Sequence, residues 1–500
     1  MAAEQPEKDK AKPDTGKSDE PEPEAAKEPP TPVITHHEVT VDGSALAYTV
    51  TTGLMPLRND TDEIEAEVFF MAYTRSDSPH AGSRPLMFSF NGGPGSSSVW
   101  LHLGALGPRR ARMRDDGSLP PPPYQLEENP LTWLEHTDLV FIDPIGTGFS
   151  RPVKPDEGKK YWSVPGDVAS IGEFIRLYLT RYQRWNSPLF LVGESYGTTR
   201  AAGLSDFLIE KGIALNGIVL VSSVLNFQTL SFATGNDLPY ILFLPTYTAT
   251  AWYHRKLAND LQSSLPAALA EAEAWAETEY TVALAKGNRL PEGERKEVVD
   301  RLVRYTGLDA RFVEHSDLRI EIQRFCKELL RDEGHTVGRL DSRIDSVHTP
   351  NPGEKPDFDP SMSAIRPPYT ALFNDYVRRD LGYETDREYY ILGGGIKTPW
   401  DWGAATGYVD TSEALGKAFA KNPFMKLFVA SGYYDLATPY FATRYTLSHM
   451  NIAPAVRGSI QTADYEAGHM MYIHTDSLRK LKSDVGEFLR SALDPSPEAR

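Results

Sequence analysis

Hydrophobic and polar positions alternate in several short segments between residues 37 and 73. Polar and apolar residues interleave over residues 37–41, 45–51 and 66–73, and this period of two predicts antiparallel strands. Residues 85–90 form an apolar run that ends in a glycine-rich loop, which predicts a strand followed by a turn. Residues 138–143 are almost entirely apolar, as expected for a strand buried on both faces of a parallel sheet.

Helical spacing first appears after these strands. Asp167 is a candidate N-cap for a helix whose apolar residues recur three or four positions apart. These are Val168, Ile171, Ile175 and Tyr178. Residues 188–192 then predict a buried strand that runs through a turn into a helix ending near residue 210, and residues 217–222 predict another strand. This order predicts parallel pairing with right-handed crossovers.

The pattern changes between residues 226 and 399. Helical stretches such as residues 265–285 and 292–305 dominate there, and sheet signals return only at residues 426–431 and near 458–463. We therefore expect an α/β fold: a mostly parallel sheet with helices on both faces and an inserted, mostly helical cap. The predicted parts are a tail (1–32), a core in two pieces (33–225 and 400–500) and the cap (226–399).

Composition sets the first 32 residues apart from the rest of the 500-residue chain. They carry nine acidic residues, five lysines and seven prolines, with almost no large apolar side chain. Such a segment buries too little surface to offset its ordering entropy, so we expect disorder there. It shows no signal-peptide pattern as written. The chain is then either cytosolic, or a signal peptide has been removed and replaced by Met1.

Charge and cysteine content exclude several functional classes. The chain has 52 Lys and Arg residues against 69 Asp and Glu, a net charge of −17, which argues against binding to nucleic acid or to an anionic membrane surface. One cysteine, Cys326, allows neither an intrachain disulfide nor a cysteine-based metal cage. We predict no metal and no organic cofactor, and no apolar run is long enough to span a membrane.

The strongest chemical signal is the sequence Gly-Glu-Ser-Tyr-Gly at residues 193–197. It fits the nucleophile elbow G-x-S-x-G, in which a serine occupies a strained strand-to-helix turn and its neighbours must be small. The pattern alone is weak, because it arises by chance in long chains. The apolar strand before it and the helix after it make Ser195 the candidate nucleophile.

An elbow serine requires an acid and a histidine, and in this arrangement they follow it along the chain in that order. Asp435 comes just after the predicted strand 426–431, and His469 lies 34 residues further on, before the last helix. The oxyanion of an acyl intermediate also needs two N–H donors. One is expected from Tyr196, and the other from the glycine-rich loop at residues 91–95.

Five motifs in the expected order resemble the serine carboxypeptidase family, and most closely its bacterial, disulfide-free branch. They are NGGPGSSS (91–98), DPIGTGFS (143–150), GESYG (193–197), GYYDLATP (432–439) and AGHM (467–470). The resemblance covers about residues 33–493. It implies an α/β-hydrolase fold, Ser195 as nucleophile, Asp435 as orienting acid and His469 as general base, with oxyanion donors at Gly93 and Tyr196.

The resemblance also implies how a substrate's free C-terminal carboxylate is bound. The residues concerned are Asn91, Gly92 and Glu194. A glutamate binds a carboxylate only if one of the two is protonated, because two ionised carboxylates repel. The expected partner is therefore a peptide with a free C-terminus, and acidic pH is expected to favour its hydrolysis.

The chain departs from the family pattern at three positions. Ser89 replaces a common tryptophan, Ala105 replaces a second glutamate, and Ser96 replaces the usual loop cysteine. Carboxypeptidase activity is the expected function, but two alternatives stay open. One is an esterase or acyltransferase that uses the same triad, and the other is an inactive interaction protein. The family favours a secreted or periplasmic location, and a cytoplasmic one also stays open; the sequence leaves the oligomeric state unknown.

Overall fold

A ten-stranded sheet forms the centre of the protein in a computed structural model, which describes residues 28–77, 81–347, 352–403 and 407–494. We number its strands β1–β10 in chain order. They are Val33–Val41, Ser44–Arg58, Ile64–Arg75, Leu86–Phe90, Asp138–Ile142, Arg151–Pro152, Leu189–Ser195, Gly217–Ser223, Lys426–Gly432 and Ile460–Tyr465. Their order across the sheet is β1-β2-β3-β5-β4-β7-β8-β9-β10, and the short β6 pairs with β3.

The sheet is mostly parallel, as the sequence predicts. Strands β5, β4, β7, β8, β9 and β10 pair in parallel. Strands β1, β2 and β3 pair antiparallel at one edge, and β3 also meets β5 in antiparallel fashion. Every residue of β4, β5 and β8 is buried, which explains why these strands lack the alternation seen at the antiparallel edge.

Helices cover both faces of this sheet. We number the longer helices α1–α9: Val164–Arg181, Tyr196–Glu210, Leu238–Tyr253, Leu265–Trp275, Glu292–Thr306, Pro360–Arg379, Ser412–Lys421, Tyr440–His449 and Thr475–Leu493. Helices α1, α2 and α7 share a hydrophobic core with one face of the sheet, and α6 and α9 share a core with the other. This arrangement is the α/β-hydrolase architecture.

The predicted N-cap of α1 is wrong. The helix begins one turn earlier than expected, and its N-cap is Ser163, whose Oγ accepts a hydrogen bond from the N–H of Gly166 at 3.1 Å. Asp167 lies inside the first turn, where it is buried and paired with Arg200. An aspartate just before an apolar face resembles a cap in sequence, but here its carboxylate serves a long-range ion pair.

The helical insertion forms most of a hydrophobic core that also includes Tyr434, Leu436 and residues of α8. Helices α3, α4 and α5 build it together with three shorter helices, Thr281–Lys286, Ala310–His315 and Ile322–Glu328. A small hairpin, His335–Val337 with Asp345–Val347, follows them. Helix α6 packs instead into the core of the sheet. The boundaries 226–399 for the cap, and 33–225 and 400–500 for the core, stay predictions.

The N-terminal tail is described only from residue 28, so most of the predicted disordered segment 1–32 lies outside the described residues. Residues 28–32 have no helix or strand, but they touch the core. The carboxylate of Glu28 pairs with Arg58. Pro32 lies against Gly53, since a Cβ added to Gly53 would be 2.9 Å from the Cβ of Pro32. Within the described ranges, no helix has the length and apolar character needed to cross a membrane.

Candidate active site

Ser195 occupies the turn between β7 and α2. Its backbone is strained, with φ 59° and ψ −131°, a region that side-chain-bearing residues rarely adopt. The flanking glycines are required by close packing. A Cβ on Gly193 would collide with the carbonyl of Gly197, and one on Gly197 would lie 2.9 Å from the carbonyl oxygen of Phe90. The turn therefore has the geometry of a nucleophile elbow, as the motif predicts.

Asp435 and His469 meet behind this turn, although 34 residues separate them. Asp435 follows β9 and His469 follows β10, so both lie at the carboxyl edge of neighbouring parallel strands. Nδ1 of His469 donates to Oδ2 of Asp435 at 2.7 Å. Both residues are buried, and His469 lines the same cavity as Ser195. The structure thus brings the three predicted residues to one place.

The carboxylate of Asp435 is held in a fixed orientation. The N–H groups of Ala437 and Thr438 donate to its Oδ1 at 2.8 and 3.0 Å, and the hydroxyl of Thr438 donates to Oδ2 at 2.8 Å. Backbone contacts also fix His469: its N–H donates to the carbonyl of Leu340 at 2.6 Å. These bonds leave the imidazole little freedom to rotate away from Asp435.

Ser222 supports the histidine from β8, which is separated from β10 by β9. Its φ is 51°, and a bulge in β8 displaces it from the regular register with β7. The buried hydroxyl donates to the carbonyl of His469 at 2.6 Å. This contact has no signal in the sequence, because a serine in an apolar strand carries no local sign of a long-range partner.

Charge around His469 favours its protonated form. Burial opposes the charge, but Asp435 and the nearby Glu194 outweigh burial, so the pKa of His469 is raised above its ordinary value. The positive charge of Arg339 acts in the opposite direction. An imidazole next to such carboxylates accepts a proton readily from a neighbouring hydroxyl.

The glycine-rich loop after β4 lies directly against the elbow. A Cβ on Gly92 would collide with the backbone nitrogen of Tyr196, so only glycine permits this approach. Gly93, with φ 102°, lines the cavity beside Ser195. Tyr196 is the first residue of α2, where backbone N–H groups have no intrahelical partner. The two predicted oxyanion donors thus lie on adjoining segments.

Glu194 and Asn91 lie together in the same cavity, and both are buried. The hydroxyl of Tyr472 donates to Oε2 of Glu194 at 2.6 Å. Oδ1 of Asn91 accepts a hydrogen bond from the N–H of Leu101 at 3.1 Å. Burial raises the pKa of Glu194 to about 7, although His469, Tyr472 and Asn91 favour its ionised form. Glu194 is therefore mostly protonated at acidic pH.

The three departures from the family pattern are all buried. Ser89 lies within β4, and Ala105 lies in the short helical segment that follows the loop. Tyr472 and Tyr369 pack against the segment that contains Ala105. A Cβ on the adjacent Gly104 would collide with the ring of Tyr472. Ser96 accepts a hydrogen bond from the indole N–H of Trp100 at 2.7 Å. Tyr472 is thus a polar partner of Glu194 that the sequence did not reveal.

A buried ion pair that the sequence does not predict lies beside the elbow. Nε of Arg200 donates to Oδ2 of Asp167 at 2.7 Å, and Nη1 donates to the carbonyl oxygen of Asn91 at 2.7 Å. The hydroxyl of Tyr196 donates to the same oxygen of Asp167 at 3.1 Å. Arg200 therefore ties the glycine-rich loop to the helix that begins after Ser195.

The cavity above these groups has a volume of about 140 Å³. Five of its lining residues come from the segment 226–399 predicted as the cap. They are Arg339, Leu340, Met362, Ile365 and Leu392. Across the described ranges, no group of three or more His, Cys, Asp or Glu side chains is placed to hold a metal ion. The site consists of a serine, an acid–histidine pair, backbone donors and a protonatable glutamate.

An α/β-hydrolase sheet, a strained serine at its elbow and a buried Asp–His pair define the protein as a member of the α/β-hydrolase class with a serine-hydrolase site. Comparisons with known proteins narrow this class. A model of the family described as serine carboxypeptidase matches residues 44–478. The chain belongs to the serine carboxypeptidase family.

Individual relatives agree with this family. The pheromone-processing carboxypeptidase KEX1 of Saccharomyces cerevisiae is 43% identical over 155 residues, which is 29% of this chain and 20% of that protein. Serine carboxypeptidase S10 family member 1 of Dictyostelium discoideum is 26% identical over 188 residues, 37% of this chain and 40% of its own length. The aligned part thus spans only a fifth of the yeast relative and two fifths of the Dictyostelium one.

The fold agrees with a solved structure from the same family. The crystal structure of a prohormone-processing carboxypeptidase from Saccharomyces cerevisiae superimposes with a TM-score of 0.51. The superposition covers 88% of this chain and 91% of that one, at 17% sequence identity. At this level of identity the likeness shows a shared fold.

Proposed function

We propose that the protein is a serine-type carboxypeptidase that releases C-terminal amino acids from peptides through an acyl-enzyme. The observation that carries this proposal is the position of Glu194, next to Ser195 along the chain and beside Asn91 in one cavity, with a pKa of about 7. A neutral glutamate donates a hydrogen bond to a carboxylate, whereas an ionised one repels it. The site therefore suits a substrate whose scissile bond adjoins a free carboxylate.

The chemistry follows from the roles that the site suggests for its groups. The Ser195 hydroxyl attacks the last peptide carbonyl and gives its proton to Nε2 of His469, while Asp435 holds the imidazole in orientation. The N–H groups of Gly93 and Tyr196 stabilise the oxyanion. His469 returns the proton to the leaving amine, so a free amino acid departs and the acyl group stays on Ser195. Water, deprotonated by His469, then releases the shortened peptide.

The substrate's terminal carboxylate is bound by Asn91, the N–H of Gly92 and protonated Glu194. Ala105 stands where a second glutamate is common, and Glu194 is the single acidic residue among the described residues that line the cavity. Turnover of free-acid peptides then requires Glu194 to be protonated and His469 to be neutral. As pH increases, kcat/KM on such peptides should first rise because His469 loses its proton. It should then fall because Glu194 loses its proton.

The Glu194→Gln variant tests the proposal. Glutamine keeps a hydrogen-bond donor but cannot ionise, so kcat/KM on a blocked dipeptide free acid should depend less on pH between 4 and 8. The change should be on the order of tenfold at the alkaline end, as expected for a charge-assisted hydrogen bond. The corresponding dipeptide amide and ester should be affected much less. Glu413→Gln, an exposed carboxylate outside the site, is the matched control.

An esterase or acyltransferase that uses the same residues is the second candidate, and Ala105 in place of a glutamate is the observation that favours it. This candidate requires similar turnover of esters whether or not a free carboxylate is present. An unchanged pH profile of Glu194→Gln on free-acid peptides would also favour it. An inactive protein is tested separately, because a fluorophosphonate probe should label the wild type at Ser195 and leave Ser195→Ala unlabelled.

A further inference from the structure

One cationic residue of the helical insertion, Arg339, lines the cavity. Arg339 follows the strand His335–Val337 and lines the cavity together with Ser195 and Glu194. Its backbone is fixed on both sides: the N–H donates to Oδ1 of Asp359 at 3.1 Å, and the carbonyl accepts from the N–H of Leu436 at 3.0 Å. The residue is thus held in place by contacts to two different parts of the chain.

Arg339 has no counter-charge of its own. It is the only Lys or Arg among the described residues that line the cavity. Within the described part of the chain, no carboxylate lies within 4 Å of its guanidinium. Asp359, whose Oδ1 accepts the backbone N–H of Arg339, also accepts hydrogen bonds from the N–H and the hydroxyl of Ser361. The cavity therefore offers a cation that the fold does not neutralise.

The surroundings of Arg339 strengthen its attraction for an anion. Leu340, Met362 and Ile365 form apolar walls beside it, and a charge acts more strongly next to apolar groups than in water. A guanidinium stays charged at every pH of interest. Its charge also reaches the reacting centre, because it opposes the raised pKa of His469. A substrate group that lies close to His469 is therefore within the influence of Arg339.

We propose that Arg339 is a specificity residue that binds an acidic side chain of the peptide substrate, on one of the two residues that flank the scissile bond. The inference rests on the proposed carboxypeptidase function, in which the terminal carboxylate is already bound at Glu194 and Asn91. The remaining substrate carboxylate that can bind Arg339 is then the side chain of an aspartate or glutamate. The enzyme should prefer acidic residues there over their amides.

The test uses matched peptides that differ only in Glu or Gln at one of the two positions. The readout is the ratio of kcat/KM for the Glu peptide to that for the Gln peptide, because effects of a variant on both peptides cancel. The wild type should favour Glu at one position. Arg339→Met should lower this ratio about tenfold or more, mainly through KM, and Arg339→Lys should retain part of it. Arg457→Met, which removes an exposed charge elsewhere, should leave it unchanged.

Two results would overturn the inference. One is a Glu-to-Gln ratio that Arg339→Met leaves unchanged at both positions. The other is an equal loss on all free-acid peptides with their amides spared, which would assign Arg339 to the terminal carboxylate. Failure of the underlying function looks different: the wild type itself would then hydrolyse amides and free acids equally well. In that case, matched esters with a Glu or a Gln acyl group would still give the Glu-to-Gln ratio of kcat/KM, and Arg339→Met should still lower it.

Discussion

The hydroxyl of Tyr472 lies 2.6 Å from Oε2 of Glu194, and both groups are buried. They are 278 residues apart in the sequence, and the contact joins the segment before the last helix to the residue preceding the nucleophile. A donated hydrogen bond stabilises the ionised carboxylate, so it partly offsets the effect of burial on the pKa of Glu194. Under the proposed function, Tyr472 therefore tunes the pH range over which Glu194 can bind a substrate carboxylate.

We predict that Tyr472→Phe extends activity on free-acid peptides to higher pH. Without the hydrogen bond from Tyr472, the pKa of Glu194 rises further, so the protonated form of Glu194 persists to higher pH. The alkaline fall of kcat/KM should move upward by about 1 pH unit, which corresponds to one hydrogen bond. Tyr465→Phe is the matched control, because Tyr465 also donates to a carboxylate, that of Asp484, outside the site. A fall that moves downward, or moves equally in the control, would contradict the assignment.

We predict that the effects of removing the serine and the histidine are far from additive. Ser195→Ala and His469→Ala should each lower kcat on the order of 10⁴-fold or more, and the double variant should be no slower than Ser195→Ala alone. Asp435→Asn should also remove most activity, because it no longer holds the imidazole in orientation. Ser448→Ala, an exposed serine on α8, serves as the control. A double variant that loses the product of the single losses would show that the residues act independently.

We predict that Glu194 makes stability depend on pH. Its pKa is about 7 in the folded protein and 4.5 ordinarily, so folding favours the protonated form. This contribution is fully present below pH 4.5 and is lost as pH rises through 7. Relative to Glu194→Gln, which cannot ionise, the wild type should lose about 3 kcal/mol of unfolding free energy between pH 4 and pH 8. Denaturant titrations of both proteins measure this; a difference independent of pH would mean that Glu194 is not buried as described.

We predict that the Arg200–Asp167 pair stabilises the fold only as a pair. Arg200→Met leaves the carboxylate of Asp167 buried without its partner and should cost about 3–5 kcal/mol of unfolding free energy. Asp167→Asn combined with Arg200→Met removes both charges, so the double variant should be more stable than Arg200→Met alone. The same denaturant titrations supply the comparison. Purely additive losses would contradict a direct interaction between the two side chains.

We predict that the N-terminal tail contributes little to stability. A chain starting at Glu28 should keep the wild-type Tm, because residues 1–27 are rich in charge and proline and have little apolar surface to bury. A chain starting at Val33 also loses the exposed Glu28–Arg58 pair and the contact of Pro32 with Gly53. Its Tm should fall by no more than about 2 °C. A larger drop from the shorter deletion would show that residues 1–27 pack on the core.

The parts of the site that the sequence predicted share one property: each follows a strand and carries a local signal. Ser195 lies between two glycines after a buried strand, and Asp435 and His469 follow the next strands in the expected order. Their roles stay predictions, but the structure places all three at one edge of the sheet. Periodicity likewise predicted both the antiparallel edge and the parallel centre of the sheet.

The contacts that the sequence did not predict are long-range and lack a local signal. Asp167 has the position of a helix cap, yet its carboxylate pairs with Arg200, 33 residues away. Tyr472 lies just after the AGHM motif and Arg339 lies in a segment with no motif, and only the folded chain brings them to Glu194 and Ser195. Side chains of this kind are found from three-dimensional packing, because nothing in their neighbouring residues specifies their partners.

Under the proposed function, the enzyme removes one amino acid at a time from a free C-terminus. Mass spectrometry of the products from one peptide, supplied as the free acid and as the C-terminal amide at about pH 6.5, tests this directly, because part of His469 is then neutral and most of Glu194 is protonated. Stepwise loss of single C-terminal residues is expected from the free acid, with much slower reaction of the amide and no reaction with Ser195→Ala. Internal cleavage, or equal rates on the free acid and the amide, would contradict it.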